Sequence, residues 1–335
     1  MKLKSILISI FLFLAGINLF PQQNNLHSSA GPYLGQKLPG VKAEIFAPEI
    51  VSTGLDDNAI TFTPDGKECF WHVVFTGLET ILTSRLENGQ WTKPEVASFS
   101  GMYSDGWPAP HPNGKILFFH SQRETGNKDF TDNLNIWYVE KTSIGWSEPK
   151  LLGAPVNGKG NAGCPSVTND GTLYISKRFP DGTEQICRSK FVNGKYLDPE
   201  ILPKHINISK YNFHAYIAPD ESYLIYPTGS KPDIIGGGWN YYVSFRTKDD
   251  KWSELINIGK SVNSERSGAV PSISSDGKYF FFQASTNITW IKSLSKKHTL
   301  SELLERENRI PGRFTNDIYW IETSVIEQLR PPGFK

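Results

Sequence analysis

Acidic residues and histidines recur at matching positions of a repeated sequence pattern. Asp57 and Asp105 stand where two strand-like segments begin, and His120 and His214 lie within such segments. Two carboxylates that face one cleft can divide acid and base work in the hydrolysis of a glycosidic bond, and histidines can transfer protons beside them. We therefore predict Asp57, Asp105, His120 and His214 as candidate catalytic residues for chemistry on a carbohydrate.

Aromatic and basic side chains in the same parts of the repeats could bind a ligand. A flat aromatic face can stack on a sugar ring or pack against a peptide. Binding has broader support than catalysis because more of these residues fall near one rim. The candidate ligand-binding residues are Trp107, Trp239, His72, Lys177, Arg178 and Arg123.

Each candidate also has a structural interpretation. Asp57 and Asp105 could accept hydrogen bonds from the amides of their own turns. His72 and His120 occupy a repeat position and could be packing residues between repeats. A metal site built from His72, His120 and His214 is a further alternative, because imidazole suits zinc or manganese. The chain has no His-x-x-x-His spacing, so we expect neither a metal nor another cofactor.

Five similar turns divide most of the chain into repeats. Four of them contain Asp-Gly or Asn-Gly between two strand-like runs, which is the strongest short-range signal of a hairpin. A sequence period of about 40–50 residues is typical of a solenoid or a propeller. The turns are residues 63–67, 111–115, 168–172, 218–222 and 274–278.

Each repeat supplies up to four strands, and the fifth repeat lacks its fourth strand. Residues 45–51 resemble the fourth-strand segments 94–96 and 199–201, so the N-terminal segment can supply the missing strand. Closure of this kind leaves only short outer edges exposed. The predicted fold is an all-β, five-bladed β-propeller of four-stranded antiparallel blades over residues 43–330. The blades are expected to start near residues 57, 105, 162, 212 and 268.

Specific motifs of the repeat resemble a known family. Pro-Asp-Gly-Lys at 64–67 ahead of an aromatic strand, Asp-Ile-Tyr-Trp at 317–320 and Trp-Ser-Glu-Pro at 146–149 are similar to the TolB-type, WD-like β-propeller repeat of exported bacterial proteins. The resemblance covers residues from about 44 to 330. It implies the propeller fold and is weak for function, because this scaffold carries many activities.

The N-terminal residues predict export. Lys2 and Lys4 precede an apolar run over residues 6–20, which is short for a membrane span of about 20 residues but suits a signal peptide. We predict a signal peptide at 1–21 and a linker at 22–42, rich in Gln, Asn, Ser, Gly and Pro. The expected location is the periplasm or the exterior of a bacterial cell. An uncleaved N-terminal anchor is the alternative.

Charge and cysteine content limit the possible partners. A net charge of +1 gives no electrostatic argument for nucleic acid, and we expect a monomer. Cys69, Cys164 and Cys187 are expected to be buried free thiols, because Cys164 and Cys187 fall on strands that are not neighbours.

These observations predict a binding scaffold for a protein partner or a glycan through the loop-rich rim. A glycoside hydrolase or polysaccharide lyase acting at the same rim is the alternative, and a purely structural envelope component is a third possibility. A capping box at 299–302 predicts a helix over 300–308, within the long segment 285–316. That helix could cover the cleft as a lid or pack on the side of blade five.

Overall fold

The structure is a computed structural model that describes residues 30–334, apart from residues 54, 76, 127, 130–132, 237, 264–267, 269, 285–298 and 300–315. The predicted signal peptide at 1–21 and the predicted helix at 300–308 lie outside the described residues. Within the described residues, the long strands form five antiparallel sheets that follow one another along the chain. The predicted five-bladed, all-β propeller is confirmed.

Each blade consists of an inner strand, two middle strands and short outer strands. The first strand of the chain, β1 (Glu44–Ile45), belongs to the last blade. The strands of blade one are β2 (Asp56–Phe62), β3 (Glu68–Phe75), β4 (Leu78–Glu87), β5 (Gln90–Trp91) and β6 (Glu95–Val96). Those of blade two are β7 (Asp105–Pro110), β8 (Ile116–Ser121), β9 (Asn135–Thr142), β10 (Gly145–Trp146) and β11 (Lys150–Leu151).

The remaining blades repeat this order, and in blade three the outer hairpin is formed by two separate short strands. Blade three contains β12 (Ala162–Val167), β13 (Leu173–Arg178), β14 (Glu184–Ser189), β15 (Phe191–Val192), β16 (Lys195–Tyr196) and β17 (Glu200–Ile201). Blade four contains β18 (Tyr216–Ile217), β19 (Tyr223–Thr228), β20 (Asn240–Phe245) and β21 (Ile256–Asn257). Blade five contains β22 (Ser272–Ile273), β23 (Tyr279–Ala284) and β24 (Asp317–Glu322), followed by a short helix, α1 (Ser324–Glu327).

The N-terminal strand closes the ring as predicted. β1 pairs antiparallel with β24, so that Glu44 lies opposite Trp320 and Ile45 opposite Tyr319. The backbone N–H of Phe46 donates to the carbonyl of Ile318 at 2.7 Å, which extends the pairing by one residue. Blade five therefore takes its fourth strand from the beginning of the domain.

The turns between inner and second strands are stabilised by their own side chains. Thr63 Oγ1 donates to Asp65 Oδ1 at 2.6 Å, and Asp65 accepts the backbone N–H of Lys67 at 3.1 Å. Gly66 takes the left-handed conformation with a φ of 66°. In the fourth turn, which lacks the glycine, Glu221 takes this position with a φ of 57°. The Glu221 carboxylate accepts a hydrogen bond from Tyr174 and pairs with Arg246.

The segment just before β1 packs on the propeller. It includes a short 3-10 helix, Tyr33–Gly35, which falls in the predicted linker. The Tyr33 ring lies 5.4 Å from that of Phe62 and 5.6 Å from that of Trp320, and Leu34 is buried in the same cluster. Phe62 belongs to blade one and Trp320 to blade five, so these residues hold the two ends of the ring together.

The three cysteines, Cys69, Cys164 and Cys187, are buried free thiols, as predicted. Cys164 lies on β12 and Cys187 on β14, with β13 between them. The neighbouring strand separates the two sulfurs, and Cys69 and Cys187 serve as small apolar groups of the blade cores.

We expect Leu34→Ala to lower the free energy of unfolding by about 2–4 kcal/mol, because the substitution leaves a cavity in the cluster that joins blades one and five. The measurement is denaturant-induced unfolding followed by tryptophan fluorescence. Leu38→Ala is the matched control, since Leu38 is 48% exposed and should change stability little. Equal effects of the two substitutions would show that the 3-10 helix does not hold the ring closed.

Candidate functional site

Left-handed residues recur in or just before the inner strands of four blades, and three of these strands also contain a bulge. The register of the inner strand shifts between Asn58 and Thr61 in blade one, with equivalent shifts in blades two and three. A bulge bends a strand and re-aims its side chains, and a non-glycine residue with positive φ stores backbone strain. The residues in this conformation are Ala59, Trp107, Cys164 and His214, with φ values of 52°, 52°, 52° and 61°.

Aromatic rings from three blades meet around Trp107. The centroid of its ring lies 4.5 Å from that of His72, 4.6 Å from that of His120 and 4.6 Å from that of His214. The carboxylate of Glu79 joins this group through His120. We call Trp107, His72, His120, His214 and Glu79 the axial cluster. Four of its members were predicted as site residues, whereas Glu79 was not.

Two histidines of the axial cluster accept hydrogen bonds from the next blade. His72 Nδ1 accepts the backbone N–H of Trp107 at 3.4 Å, and His120 Nδ1 accepts that of Cys164 at 3.4 Å. Since a nitrogen that accepts carries no proton, the neutral imidazoles have their proton on Nε2. Burial lowers the pKa of His72 to about 3, so this ring is neutral at physiological pH.

Glu79 is held against His120 at the start of β4. Its Oε2 lies 2.8 Å from His120 Nε2, and a quarter of the side chain is exposed. Burial raises the pKa of Glu79, but the charge of His120 and its hydrogen bond outweigh this effect and lower the pKa to about 2. Gly106 makes the contact possible, because a Cβ there would lie 2.7 Å from both Glu79 Oε2 and His120 Nε2.

Asp57 binds the loop that precedes it. It is fully buried and accepts the backbone N–H of Thr53 at 2.7 Å and the Thr53 hydroxyl at 3.1 Å. Asn212 forms the matching bonds with Ser209 in blade four, at 3.2 and 3.1 Å. Burial raises the pKa of Asp57 to about 8, although the bonds from Thr53 act in the opposite direction. Asp57 in blade one and Asn212 in blade four thus bind the preceding loop in the same way. This is the arrangement expected if Asp57 has a structural role in its own turn.

Asp105 contacts the side chains of Arg123 and Ser100. Its Oδ1 lies 2.9 Å from Arg123 Nη1, and its Oδ2 accepts the Ser100 hydroxyl at 2.9 Å. Arg123 is itself buried, with its guanidinium 5.2 Å from the Phe119 ring centroid. The structure thus places Asp105 and the predicted ligand-binding residue Arg123 in one buried ion pair within blade two.

The other predicted ligand-binding residues differ in exposure. Lys177 Nζ donates to the carbonyl of Val156 at 2.8 Å and is partly buried. Arg178 is exposed at the end of β13. Trp239 is 37% exposed and packs against Phe213 with ring centroids 4.9 Å apart. Arg178 and Trp239 are therefore the predicted residues that present a side chain to solvent on the loop side.

A cavity of about 630 Å³ occupies the channel on the opposite side, where the turns between inner and second strands lie. Trp107 and His214 are among the residues that line it. Ser166 and Ser272 also line it, but Ser166 Oγ accepts the Ile217 N–H at 3.0 Å and Ser272 Oγ donates to the Ile60 carbonyl. The prolines that line its wall are Pro64, Pro108, Pro110, Pro112, Pro165, Pro219 and Pro271.

Residues 30–334, with the gaps given above, contain no group of three or more His, Cys, Asp or Glu residues placed to bind a metal ion. In the same residues, no helix is both long and apolar enough to span a membrane.

Among known proteins, solved structures resemble the fold of this chain, but no family is matched. No family model matches the chain, and no curated protein matches it. TolB from Acinetobacter baumannii is 19% identical, with 70% of this chain and 50% of that one aligned and a TM-score of 0.45. A putative TolB from Agrobacterium tumefaciens is 17% identical, with 69% and 70% aligned and a TM-score of 0.43. A protein of unknown function from Dyadobacter fermentans is 10% identical, with 84% and 97% aligned and a TM-score of 0.43.

The aligned region thus spans half the length of the TolB structure from Acinetobacter baumannii. TolB structures are among the solved structures to which this chain is similar, as the repeat motifs predicted. Likenesses at these TM-scores carry no argument about function. The five-bladed fold follows from the strand pairing itself.

Asp57→Asn should alter how stability depends on pH. Because the folded-state pKa of Asp57 is raised, the native protein keeps a proton that the unfolded chain loses, so the free energy of unfolding falls as pH rises from about 4 to about 8. An asparagine keeps the acceptor for Thr53, as Asn212 does in blade four, and removes this contribution. Unfolding measured between pH 4 and pH 8 should therefore show a smaller decline for the variant.

Asp105→Asn is the matched comparison for this substitution. It leaves the buried guanidinium of Arg123 without its counter-ion, which should lower stability by about 3–5 kcal/mol at neutral pH. If Asp57→Asn were as destabilising as Asp105→Asn, the ionised form of Asp57 would be the one that the fold needs.

Gly106→Ala should separate Glu79 from His120, because the added methyl group would overlap both side chains. We expect a loss of about 1–3 kcal/mol in the free energy of unfolding. Gly153→Ala is the control, since a Cβ at that glycine meets no atom within 4 Å. Similar stability of the two variants would mean that the axial cluster tolerates the separation.

Proposed function

We propose that the chain is a ligand-binding β-propeller whose turn-side cavity holds an apolar segment of a protein partner. The observation that supports this proposal is the cavity itself, which has a volume of about 630 Å³ and is lined in part by Trp107 and His214. Binding sites for small ligands and side chains in proteins commonly have volumes of about 300–1,000 Å³. The cavity has room for one or two large apolar side chains.

The lining of the cavity favours an apolar guest over a sugar. Its walls include proline rings and apolar residues such as Ile60, Val167 and Val270, and polar residues such as Asn169 and Ser275 also line it. The hydroxyls of Ser166 and Ser272 already bond to backbone groups, so they offer little to the many hydroxyls of a glycan. Proline rings have almost no side-chain freedom to lose on binding, which favours affinity.

Charged residues in the cavity lining influence which charge a bound guest can carry. Arg330 forms two close contacts with the Glu327 carboxylate, at 2.7 and 2.8 Å, and lies over the Phe245 ring. Its positive charge is therefore balanced within the mouth, while Asp220 adds a negative charge. We infer that the guest carries a basic residue beside its apolar anchor.

Glycan binding on the loop side is the second candidate function. It is supported by the exposed ring of Trp239, which is held by Phe213, and by the exposed Arg178 beside the same rim. The carbohydrate-active enzyme has less support. A two-carboxylate mechanism needs two available carboxyl groups about 5–10 Å apart, whereas Asp57 bonds to Thr53 and Asp105 to Arg123.

We also propose export to the periplasm or beyond. The support is the signal-like sequence at 1–21. Removal of these residues should leave the protein in the cytoplasmic fraction of the expressing cells, and unchanged fractionation would contradict the proposal.

The test of the binding function is a selection of displayed random peptides on the purified propeller. Selected peptides should share a large apolar residue next to Lys or Arg. Ala109→Phe places a ring in the cavity and should weaken their binding at least tenfold by calorimetry, because it occupies the space of the anchor. Met102→Ala is the control, since Met102 is 82% exposed outside the cavity lining.

Ala109→Phe and Trp239→Ala together separate the two candidate functions. If a glycan array gives ligands whose binding survives Ala109→Phe and is lost in Trp239→Ala, glycan binding on the loop side replaces the peptide function. Peptides that bind the wild type and Ala109→Phe equally would show that the cavity is not the binding site.

A further inference from the structure

One hydrogen bond between neighbouring blades recurs with different side chains. The left-handed residue of blades two, three and four donates its backbone N–H to the second strand of the preceding blade. His72 and His120 accept it in two cases, and the hydroxyl of Ser176 accepts it from His214 at 3.2 Å in the third. A serine is therefore sufficient for this bond. The second nitrogen of each imidazole is available for another role.

The Nε2 atoms of His120 and His72 differ in their hydrogen-bond partners. His120 Nε2 donates to the Glu79 carboxylate. His72 Nε2 is fully buried and has no hydrogen-bond partner among the described residues. The same holds for the Trp107 indole Nε1, whose ring centroid lies 4.5 Å away at an interplanar angle of 35°. A buried donor without an acceptor destabilises the folded state. Two such donors in adjacent rings call for an acceptor that the described residues do not provide.

The charges of the axial cluster restrict the acceptor. His72 is neutral and Glu79 is ionised, and the Glu79 charge acts on His72. An anion would be repelled by Glu79, and a cation would meet two N–H groups. A neutral oxygen fits, and a hydroxyl fits best because it can accept from His72 or Trp107 while it donates to a carboxylate.

We propose that His72 and Trp107 form a subsite for a hydroxyl oxygen of an uncharged polyhydroxy ligand, either a linear polyol or a sugar. The ligand enters from the loop side, where a quarter of the Glu79 side chain is exposed. Because His72 is fully buried, the hydroxyl reaches it past Trp107, whose partly exposed side chain also lines the turn-side cavity. His72 and Glu79 do not line that cavity, so the subsite goes beyond the peptide-binding function.

The test is a titration of the purified domain with sorbitol, glucose and N-acetylglucosamine, next to gluconate and glucosamine as charged counterparts. Binding is followed by the imidazole ¹⁵N and Nε2–H NMR signals of His72. We expect at least one neutral compound to shift these signals saturably, with a dissociation constant at least tenfold lower than those of the charged counterparts. Sorbitol against glucose distinguishes a linear polyol from a sugar. No saturable shift with any neutral compound, or a preference for a charged one, would overturn the proposal.

Two conservative variants test the donors individually. Trp107→Phe retains an aromatic ring and removes only Nε1–H, and should weaken binding by about fivefold. His72→Gln keeps a donor, and an amide fits the position because Gln283 occupies it in blade five, so binding should remain within about threefold. His72→Leu should abolish binding. Equal affinities for His72→Gln and His72→Leu, both shown to be folded by their thermal transitions, would contradict the role of His72.

A third variant separates this proposal from the peptide function. Ala109→Phe fills the turn-side cavity and should leave the titration with neutral hydroxyl compounds unchanged. Loss of that binding in Ala109→Phe would place the hydroxyl ligand in the cavity and overturn the subsite at His72.

Discussion

A ring of five blades exists only if the last blade finds a fourth strand, and β1 provides it. The pairing of Glu44 and Ile45 with β24 is short, so two backbone-paired residues do not hold the ring by themselves. The aromatic cluster behind β1 supplies the rest, since the rings of Phe46 and Tyr33 pack on Trp320 with centroids 5.0 and 5.6 Å away. Burial of such rings contributes both apolar area and edge-to-face contacts. Every inter-blade distance in the channel depends on this closure.

The axial cluster shows how a repeat turns equivalent positions into different chemistry. The left-handed conformation fixes the direction of one side chain in each of four blades. In blades two, three and four, the N–H of this residue donates to the second strand of the preceding blade. With that framework constant, the side chain at this position is a methyl group in blade one, an indole in blade two, a thiol in blade three and an imidazole in blade four. Function in such a fold is therefore determined by a few axial substitutions, while the backbone hydrogen bonds remain the same.

The parts of the structure that depend on local signals were predictable. The turns follow from Asp-Gly and Asn-Gly pairs, the strands from apolar runs around them, and the closing strand from its likeness to residues 94–96. The hydrogen bonds from Thr53 to Asp57 are also local, because the two residues are four positions apart. A turn-capping role for Asp57 was one of the two interpretations that the sequence left open.

The contacts between blades were not predictable from these signals. Glu79 is a single polar residue at the start of a strand, and its partner His120 lies 41 positions further along the chain. Their contact requires Gly106 of blade two, because a side chain at this position would overlap both residues. A single glycine produces no periodic sequence pattern from which this contact could be predicted. The turn-side cavity likewise depends on the left-handed backbone of Trp107, which the residue type does not indicate.

The prolines of the channel wall have a consequence for how guests are recognised. The inner strands present their free edges to the axis, and an unpaired strand edge normally recruits another strand. Pro108 and Pro110 in β7 and Pro165 in β12 carry no N–H, and Pro271 stands immediately before β22. These inner edges are therefore poor templates for β-augmentation. A chain that enters the channel is selected by the shape of its side chains and not by its backbone, and the same property protects the open centre of the ring against aggregation.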